Sequence, residues 1–345
     1  MKTRITDIFG IQYPIILSGM SWISVPKMVA AVSEAGGLGI LATGPLSADE
    51  TRQAIREIRS LTKKPFAANA SLMLPGATPN AEVLLEEKVP VINFALGKGD
   101  WIVKRAHEYG GKVMATVVNV RHAKRAQDYG ADAVIVTGHE AAGHGGPVTS
   151  LVLIPTLADA LDIPVIAAGG FADGRGLASA LALGADAVAM GTRFMTTKES
   201  PLHDYYKNLS LEKTPYDTIY SSHFDGLPAR VMDTPPAHKV LKRGLNIPGA
   251  FVNSRAIAKQ LGLPFFKLFF GVMAAGLDKA IALGYMANAF NSIKKATENG
   301  DHEIGVLPVG QVIGLLNDIP TVAEVMERIV KEAKDVQKDL GKKLA

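Results

Sequence analysis

Eight short apolar runs, each followed by a segment with helical spacing, constrain the fold of this chain more than any other feature. The runs recur roughly every 20 to 30 residues between residues 12 and 195. Each is short enough to be a strand that is buried on both faces of a parallel sheet. In chain order the predicted strands are Pro14–Gly19, Leu38–Ala42, Phe66–Asn69, Val91–Ala95, Lys112–Val117, Ala133–Thr137, Pro164–Ala168 and Ala187–Met190.

The segments between these runs carry helix signals, and glycines at 36, 110, 130 and 184 stand where a left-handed residue commonly ends a helix. Strict alternation of strand and helix predicts a parallel sheet with right-handed crossovers. Eight units favour a closed barrel over an open sheet of five or six strands, so we predict an α/β fold, a (β/α)8 TIM barrel. The predicted helices are Pro26–Ala35, Ala48–Leu61, Ala81–Glu87, Trp101–Tyr109, Arg121–Tyr129 and Gly174–Leu183.

The alternation stops after Phe194. Residues 211–302 lack it, and their most apolar stretch, Leu263–Gly276, is shorter than the ~20 residues that a membrane-spanning helix needs. We predict that residues 1–210 and 303–345 form the barrel with a C-terminal helix, and that residues 211–302 form an inserted, mostly helical cap. The segment Gly305–Leu340 returns to helical spacing and ends in a Lys-rich amphipathic helix. The apolar stretch 263–290 has three interpretations: a helical cover, a contact in a homodimer, or an apolar cleft for substrate.

The composition excludes several classes of protein. The 345 residues include no Cys, which rules out disulfides, thiolate nucleophiles, iron–sulfur clusters and Cys-based zinc sites. The 37 basic and 33 acidic residues are interspersed and give a net charge of only +4, so we expect no nucleic-acid partner. The N-terminus has no signal-peptide pattern and no segment predicts a membrane span, so a cytoplasmic location is expected.

Glycines end the last two predicted strands. Gly169 and Gly170 follow the seventh strand, and Gly191 and Thr192 follow the eighth. Bare backbone N–H groups can approach an anion closely, and this end of a barrel is where phosphate groups commonly bind. The sequence therefore predicts a phosphate site at these two strand ends.

The loop Gly138–Gly146 follows the sixth strand and contains His139, Glu140 and His144. These residue types can ligate a metal, but a flexible glycine-rich loop is a poor rigid cage, so we predict no metal site. An imidazole has a pKa near neutrality and suits general acid–base catalysis. Because glycines flank His144 on both sides, we predict that it is the catalytic residue.

Two other chemistries of barrel enzymes fit this sequence poorly. A Schiff base needs a Lys at the C-terminal end of a strand, and Lys112 is at the start of its predicted strand. The strand ends offer no clear pair of carboxylates for glycoside hydrolysis. The chemistry must then come from an organic cofactor or from acid–base residues.

The loop Gly138–Gly146 resembles the Gly-x-Glu-Ala-Gly-Gly-His-x-Gly motif of the nitronate monooxygenase (2-nitropropane dioxygenase) family of FMN-dependent barrels. This family also includes FMN-dependent enoyl reductases and NADH:quinone reductases. Residues 166–194 resemble its FMN-phosphate segment and residues 14–39 its N-terminal segment. The resemblance covers roughly residues 5–235, and more weakly residues 305–330.

The resemblance implies where FMN binds. Two positions depart from the family pattern: Thr116 stands where quinone-reductase-like relatives tend to have Lys, and Ala142 where many relatives have Gly. His144 matches the family's active-site histidine, and Met20, Trp22, Met73 and Phe94 are expected to line the flavin pocket. The residues implied to contact FMN are Gly19, Met20, Ser21, Asn69 and Ser71 beside the ring, Thr116 at the end of the fifth strand, Ala142 and Gly143 along the ring, and Ala168, Gly169, Gly170, Gly191 and Thr192 at the phosphate.

The resemblance implies two enzyme activities. The first hypothesis is oxidation of a small alkyl nitronate with O2 to a carbonyl compound and nitrite. The alternative is NAD(P)H-dependent reduction of an enoyl or ring CoA (or ACP) thioester, or of a quinone. NAD(P)H would then share the flavin pocket, because the chain has no Rossmann fingerprint.

A ligand sensor that has lost catalysis is a third, non-enzyme hypothesis. For a CoA substrate, the cations expected to meet its phosphates are Arg230, Lys239, Lys242 and Arg243.

Overall fold

The computed structural model describes residues 1–73, 76–274 and 276–345. Within them, eight parallel strands form a closed barrel in chain order, and the first strand pairs with both the second and the eighth. This confirms the (β/α)8 barrel, and every strand ends within two residues of its predicted bounds. The barrel strands are β1 Ile15–Leu17, β2 Leu38–Leu41, β3 Ala67–Ser71, β4 Val91–Ala95, β5 Lys112–Val117, β6 Ala133–Thr137, β7 Val165–Ala168 and β8 Ala187–Met190.

Alternate residues along these strands face two different cores. Inward residues such as Ile16 and Met114 fill the barrel interior together with the first helix, which closes its N-terminal end. Outward residues such as Leu17 and Val134 pack against the surrounding helices. The barrel is therefore a packed core, and its mouth is formed by the C-terminal ends of the strands.

Local signals set the ends of many helices. Ser47 and Glu50 form a capping box at the start of the helix Ala48–Leu61. Gly36 and Gly184 adopt φ angles of +89° and +93° just after two other helices, as the sequence predicts. The helices are α1 Arg4–Phe9, α2 Pro26–Glu34, α3 Ala48–Leu61, α4 Ala77–Glu86, α5 Asp100–His107, α6 Val120–Asp128, α7 Ser150–Ala160, α8 Gly174–Ala182, α9 Thr192–Met195, α10 Asp204–Glu212, α11 Pro235–Arg243, α12 Ile247–Gln260, α13 Phe265–Ala274, α14 Leu277–Asn299 and α15 Val322–Leu344.

Helix α4 begins at Ala77 rather than at the predicted Ala81. The difference arises at Pro79, which lies in the first turn. A helix does not use the N–H groups of its first turn, so a proline is tolerated there. The helix therefore extends back to Gly76, its N-terminal cap.

Residues 211–302 are mostly helical, as predicted, but they also form a hairpin that the sequence analysis missed. Its strands are β9 Thr218–Ser221 and β10 Ala229–Met232, which pair antiparallel. Strand β10 also bridges the loop after β6: the Gly143 N–H donates to the Arg230 carbonyl at 3.1 Å, and the Gly143 carbonyl accepts from the Arg230 N–H at 3.0 Å. The hairpin is thereby attached to the barrel mouth.

The bounds of the cap stay a proposal. Helix α10 passes through residue 210, where the sequence analysis divides barrel from cap. Of the apolar stretch 263–290, Ala275 lies outside the described residues. No described helix has both the length and the apolar character required to span a bilayer.

The segment Gly305–Leu340 ends in a long helix, as its spacing predicts, but its first part is not α-helical. Residues 305–310 are irregular, a 3-10 helix covers Gln311–Leu315, and α15 begins only at Val322, after Pro320. A proline disfavours helical conformation in the residue before it, which delays the start of α15. Helix α15 packs on the outside of α8, where the Gly174 N–H donates to the Glu332 carboxylate at 2.9 Å.

Candidate active site

A cavity of about 980 Å3 opens at the C-terminal ends of the strands. Because the strands of a closed barrel all point their C-terminal ends at one mouth, residues far apart in sequence meet there. Every site residue predicted from the sequence lines this cavity: Gly19, Met20, Ser21, Asn69, Ser71, Thr116, Ala142, Gly143, His144, Ala168, Gly169, Gly170, Gly191 and Thr192.

The ends of β7 and β8 present backbone donors to the cavity. Gly169 and Gly170 have φ angles of +90° and +89°, a conformation that favours glycine. Within the described residues, the backbone N–H groups of Gly170, Gly191 and Thr192 have no protein acceptor. This group of unpartnered donors at two adjacent strand ends suits an anion such as a phosphate.

The rest of the wall is built by β1, beside β8, and by β3, β4 and β5 across the barrel. The Asn69 side chain accepts from the Thr43 N–H at 3.1 Å and lies against Gly19, where a Cβ would be only 2.7 Å from Asn69 Nδ2. Thr116 Oγ1 accepts a hydrogen bond from the buried Asn93 amide at 3.0 Å. Asn93 also lines the cavity, and the sequence analysis missed it because an Asn inside an apolar run resembles ordinary strand.

Three of the four side chains expected to line the flavin pocket line this cavity. Met20, Met73 and Phe94 line the cavity. Trp22 does not, so its prediction is wrong. Its ring packs edge-on against Phe290 of α14 with ring centroids 4.4 Å apart, and its backbone has a positive φ of 61°.

The loop after β6 is held by its own polar side chains. His139 Nδ1 lies 3.1 Å from the Gly146 carbonyl. The Glu140 carboxylate accepts from the N–H and hydroxyl of Ser150, at the start of α7. His139 and Glu140 thus shape the loop that presents His144.

Arg230 braces the hairpin against this loop, contrary to the prediction that it meets CoA phosphates. Arg230 is only 4% exposed to solvent. Its guanidinium donates to the His139 carbonyl at 2.9 Å and to Thr218 Oγ1 at 2.9 Å. Burial lowers the pKa of Arg230. The other three predicted cations, Lys239, Lys242 and Arg243, lie on α11 and do not line the cavity.

His144 is paired with a carboxylate that the sequence analysis did not assign. Its Nε2 lies 2.7 Å from Oδ2 of Asp225, which is in the turn between β9 and β10. The His144 side chain is 37% exposed and that of Asp225 only 12%, so the imidazole reaches the cavity and its partner does not. In the described residues His144 Nδ1 has no hydrogen-bond partner, and this nitrogen is available to a bound molecule.

The pair sets the protonation of His144. Burial of the imidazole acts to lower its pKa, but the hydrogen bond and negative charge of Asp225 outweigh burial, so the pKa of His144 is raised above its ordinary value. A histidine held in this way stays protonated at higher pH than a free imidazole. The site therefore contains a proton donor in a largely apolar cavity.

The C-terminal segment completes the cavity wall. Leu307, Pro308, Gly310 and Val312 line the cavity, and the Gly310 N–H donates to Thr192 Oγ1 at 3.0 Å. Gly310 also packs so closely on the loop after β6 that a Cβ there would be 2.8 Å from the Glu140 carbonyl. This contact is compatible only with a glycine.

The arrangement resembles known proteins along nearly the whole chain. The model of the nitronate monooxygenase family matches residues 2–332. The chain belongs to the nitronate monooxygenase family. It is thus an oxidoreductase of a family whose members are FMN-dependent flavoenzymes, which confirms the resemblance found in the sequence.

Three similar proteins of this family have names that indicate different substrates. A Rhodococcus jostii protein named (3aS,4S,5R,7aS)-5-hydroxy-7a-methyl-1-oxo-octahydro-1H-indene-4-carboxyl-CoA dehydrogenase is 38% identical over 96% of both chains. A probable nitronate monooxygenase of Staphylococcus saprophyticus is 30% identical over 72% of this chain and 83% of the relative. The solved structure of FabK from Thermotoga maritima is 38% identical, with a TM-score of 0.84 over 99% of this chain and 98% of that one.

Proposed function

We propose that this protein is an FMN-dependent oxidoreductase of a CoA or carrier-bound acyl or ring thioester. The observation that carries the proposal is the hydrogen bond between His144 Nε2 and Asp225 Oδ2, 2.7 Å long, in the wall of a cavity of about 980 Å3. The similarity to the carboxyl-CoA dehydrogenase supports it, since that match includes the cap and spans 96% of both chains. This is the alternative activity of the sequence analysis rather than its first hypothesis.

The residues at the mouth of the barrel fit FMN. We propose that the unpartnered N–H groups of Gly170, Gly191 and Thr192 hold its phosphate and that Gly19, Met20 and Asn69 border its ring. The closeness of Asn69 to Gly19 leaves no room for a side chain, which keeps this surface flat enough for a ring system. When bound, FMN supplies hydride transfer.

His144 supplies the proton in this proposal. Hydride addition to the β-carbon of an unsaturated thioester leaves an enolate, whose α-carbon must take up a proton. His144 Nδ1–H donates that proton while Nε2–H stays hydrogen-bonded to Asp225, and in the dehydrogenase direction the same nitrogen accepts it. The buried carboxylate stabilises the imidazolium and fixes the ring, so Asp225 is a positioning residue.

Nitronate oxidation is the second candidate. It is favoured by the match to probable nitronate monooxygenases and by the raised pKa of His144, since an imidazolium attracts an anionic nitronate. O2 would be the co-substrate, as the sequence analysis expects. The two candidates differ in which molecule reduces the flavin.

Anaerobic mixing of the FMN-loaded protein with separate donors distinguishes the candidates. We expect NADH or NADPH to bleach the flavin absorbance and an unsaturated acyl-CoA to restore it. Bleaching by an alkyl nitronate alone, with nitrite released when O2 is admitted, would support the second candidate and contradict the first. A protein that takes up no FMN would contradict both.

Substituting Asn for Asp225 tests its positioning role. Asn can still accept the Nε2–H bond but carries no charge, so the pKa of His144 should fall. The alkaline limb of the kcat/KM profile then moves to lower pH, and activity at alkaline pH drops by up to about tenfold for each pKa unit lost.

A matched control exists on the same hairpin. Asp233 also pairs with a histidine, with Oδ1 2.8 Å from His238 Nε2, but this pair is solvent-exposed and does not line the cavity. Asp233→Asn should leave the pH profile unchanged. An Asp225→Asn profile that matches the wild type would show that Asp225 does not tune His144.

A further inference from the structure

The cavity extends beyond the barrel mouth along α6 and its C-terminal cap. His122, Arg125, Ala126 and Tyr129 all line it. Their spacing of i, i+3, i+4 and i+7 places them on one helical face, and a rise of 1.5 Å per residue makes that face about 10 Å long. Residues 96–98 of the β4–α5 loop and residues 117–118 at the end of β5 form the other side. We call this extension the α6 groove.

The α6 groove carries positive charge without a protein counter-charge. Lys98 and Arg125 are exposed, and in the described part of the chain their side chains form no ion pair or hydrogen bond. His122 contacts only Asn119 and Arg121 through its ring. Among the described residues that line the cavity, Glu140 is the only one with a carboxylate, and this carboxylate accepts hydrogen bonds from Ser150. Two free cations beside a half-buried aromatic ring suit an anionic ligand with a flat base.

The connection between the α6 groove and the main cavity indicates the length of the ligand and the positions of its two ends. A molecule in the groove can extend past Val118 to His144, since both line the same cavity. It is therefore long, with an anionic end at Lys98 and Arg125 and a reactive end at His144. The cations on α11 cannot serve this role, because they lie outside the cavity lining.

We propose that the α6 groove binds the phosphorylated adenosine diphosphate group of the molecule whose other end reacts in the main cavity. This inference rests on the proposed function, in which both a CoA thioester and NADPH carry such a group. Lys98 and Arg125 contact the phosphates, and the Tyr129 ring and Ala126 form the floor beneath the adenine. The groove thus selects substrates by their phosphorylated adenosine diphosphate group, which lies far from the reacting carbon.

Calorimetric titration of the FMN-loaded protein with free CoA, and separately with NADP+, tests the groove without requiring turnover. The variant Lys98→Glu/Arg125→Glu should weaken binding of at least one of these probes by about 10- to 100-fold, because charge-assisted contacts become repulsive. FMN content, read from absorbance, should stay unchanged. The matched control is Lys124→Glu/Lys334→Glu, which makes the same charge change at exposed cations outside the cavity lining.

Each outcome decides the proposal. Weakened CoA binding alone assigns the groove to the thioester, and weakened NADP+ binding alone assigns it to the nicotinamide donor. The proposal is overturned if the control variant weakens binding as much as the groove variant does. It is also overturned if the groove variant does not weaken binding, or if the wild type binds neither probe. If a probe binds through the groove but no thioester is turned over, the groove stands and the proposed function fails.

Discussion

Replacing His144 by Ala should lower kcat/KM with a thioester substrate by about 10²- to 10⁴-fold, the range typical of a lost general acid or base. Its imidazole is the cavity group with a raised pKa and a free ring nitrogen, and alanine can move no proton. FMN occupancy should stay near that of the wild type, because the predicted phosphate donors follow β7 and β8, whereas His144 follows β6. Stopped-flow kinetics together with flavin absorbance measures both effects.

His223→Ala is the matched control for this loss. His223 is exposed in the same β9–β10 turn as Asp225 and does not line the cavity, so its removal should leave turnover unchanged. Full turnover by His144→Ala with thioesters and with nitronates would show that another group, such as His139 or a bound water, moves the proton.

Replacing Gly169 by Val should abolish FMN binding. Gly169 has φ +90°, and a Cβ there would lie 3.0 Å from Ala141 Cβ and 3.1 Å from the Gly138 carbonyl. Relief of these contacts must move the end of β7, which forms part of the predicted phosphate site, or the loop after β6, which is predicted to run along the flavin ring. The purified protein should be colourless, and titration with FMN should show no saturable change in absorbance.

Two further variants separate FMN binding from folding. Gly110→Val places the same side chain at a similar φ of +79°, but with nothing within 4 Å and outside the cavity lining. It should share the backbone strain of ~1–3 kcal/mol and keep its FMN. Gly191→Val adds a side chain at the β8 end without positive φ, so it should lose FMN while the Tm of the apoprotein changes little. Normal FMN affinity in both Gly169→Val and Gly191→Val would contradict the phosphate site.

The sequence by itself determined the barrel and the place of its site. Short apolar runs and glycine caps are local signals, because a buried parallel strand needs a continuous apolar segment and a left-handed cap favours glycine. Once eight such units are counted, closure of the barrel is the simplest topology, and closure brings every strand end to one mouth. Gly19 and Thr192 could therefore be assigned to one cavity from opposite ends of the barrel sequence.

Only the tertiary structure decided which side chains act on one another. His144 and Asp225 are 81 residues apart, and nothing local to either position indicates the pair. Their contact depends on a hairpin of two four-residue strands, too short and too mixed in polarity to stand out as a pattern. The same hairpin decides the role of Arg230. Its backbone pairs with Gly143 and turns the guanidinium onto the His139 carbonyl, so a cation that the sequence assigns to a phosphate is buried as a brace. The spacing of apolar residues shows which face of one segment is buried. These contacts instead depend on how two segments distant in sequence pack against each other.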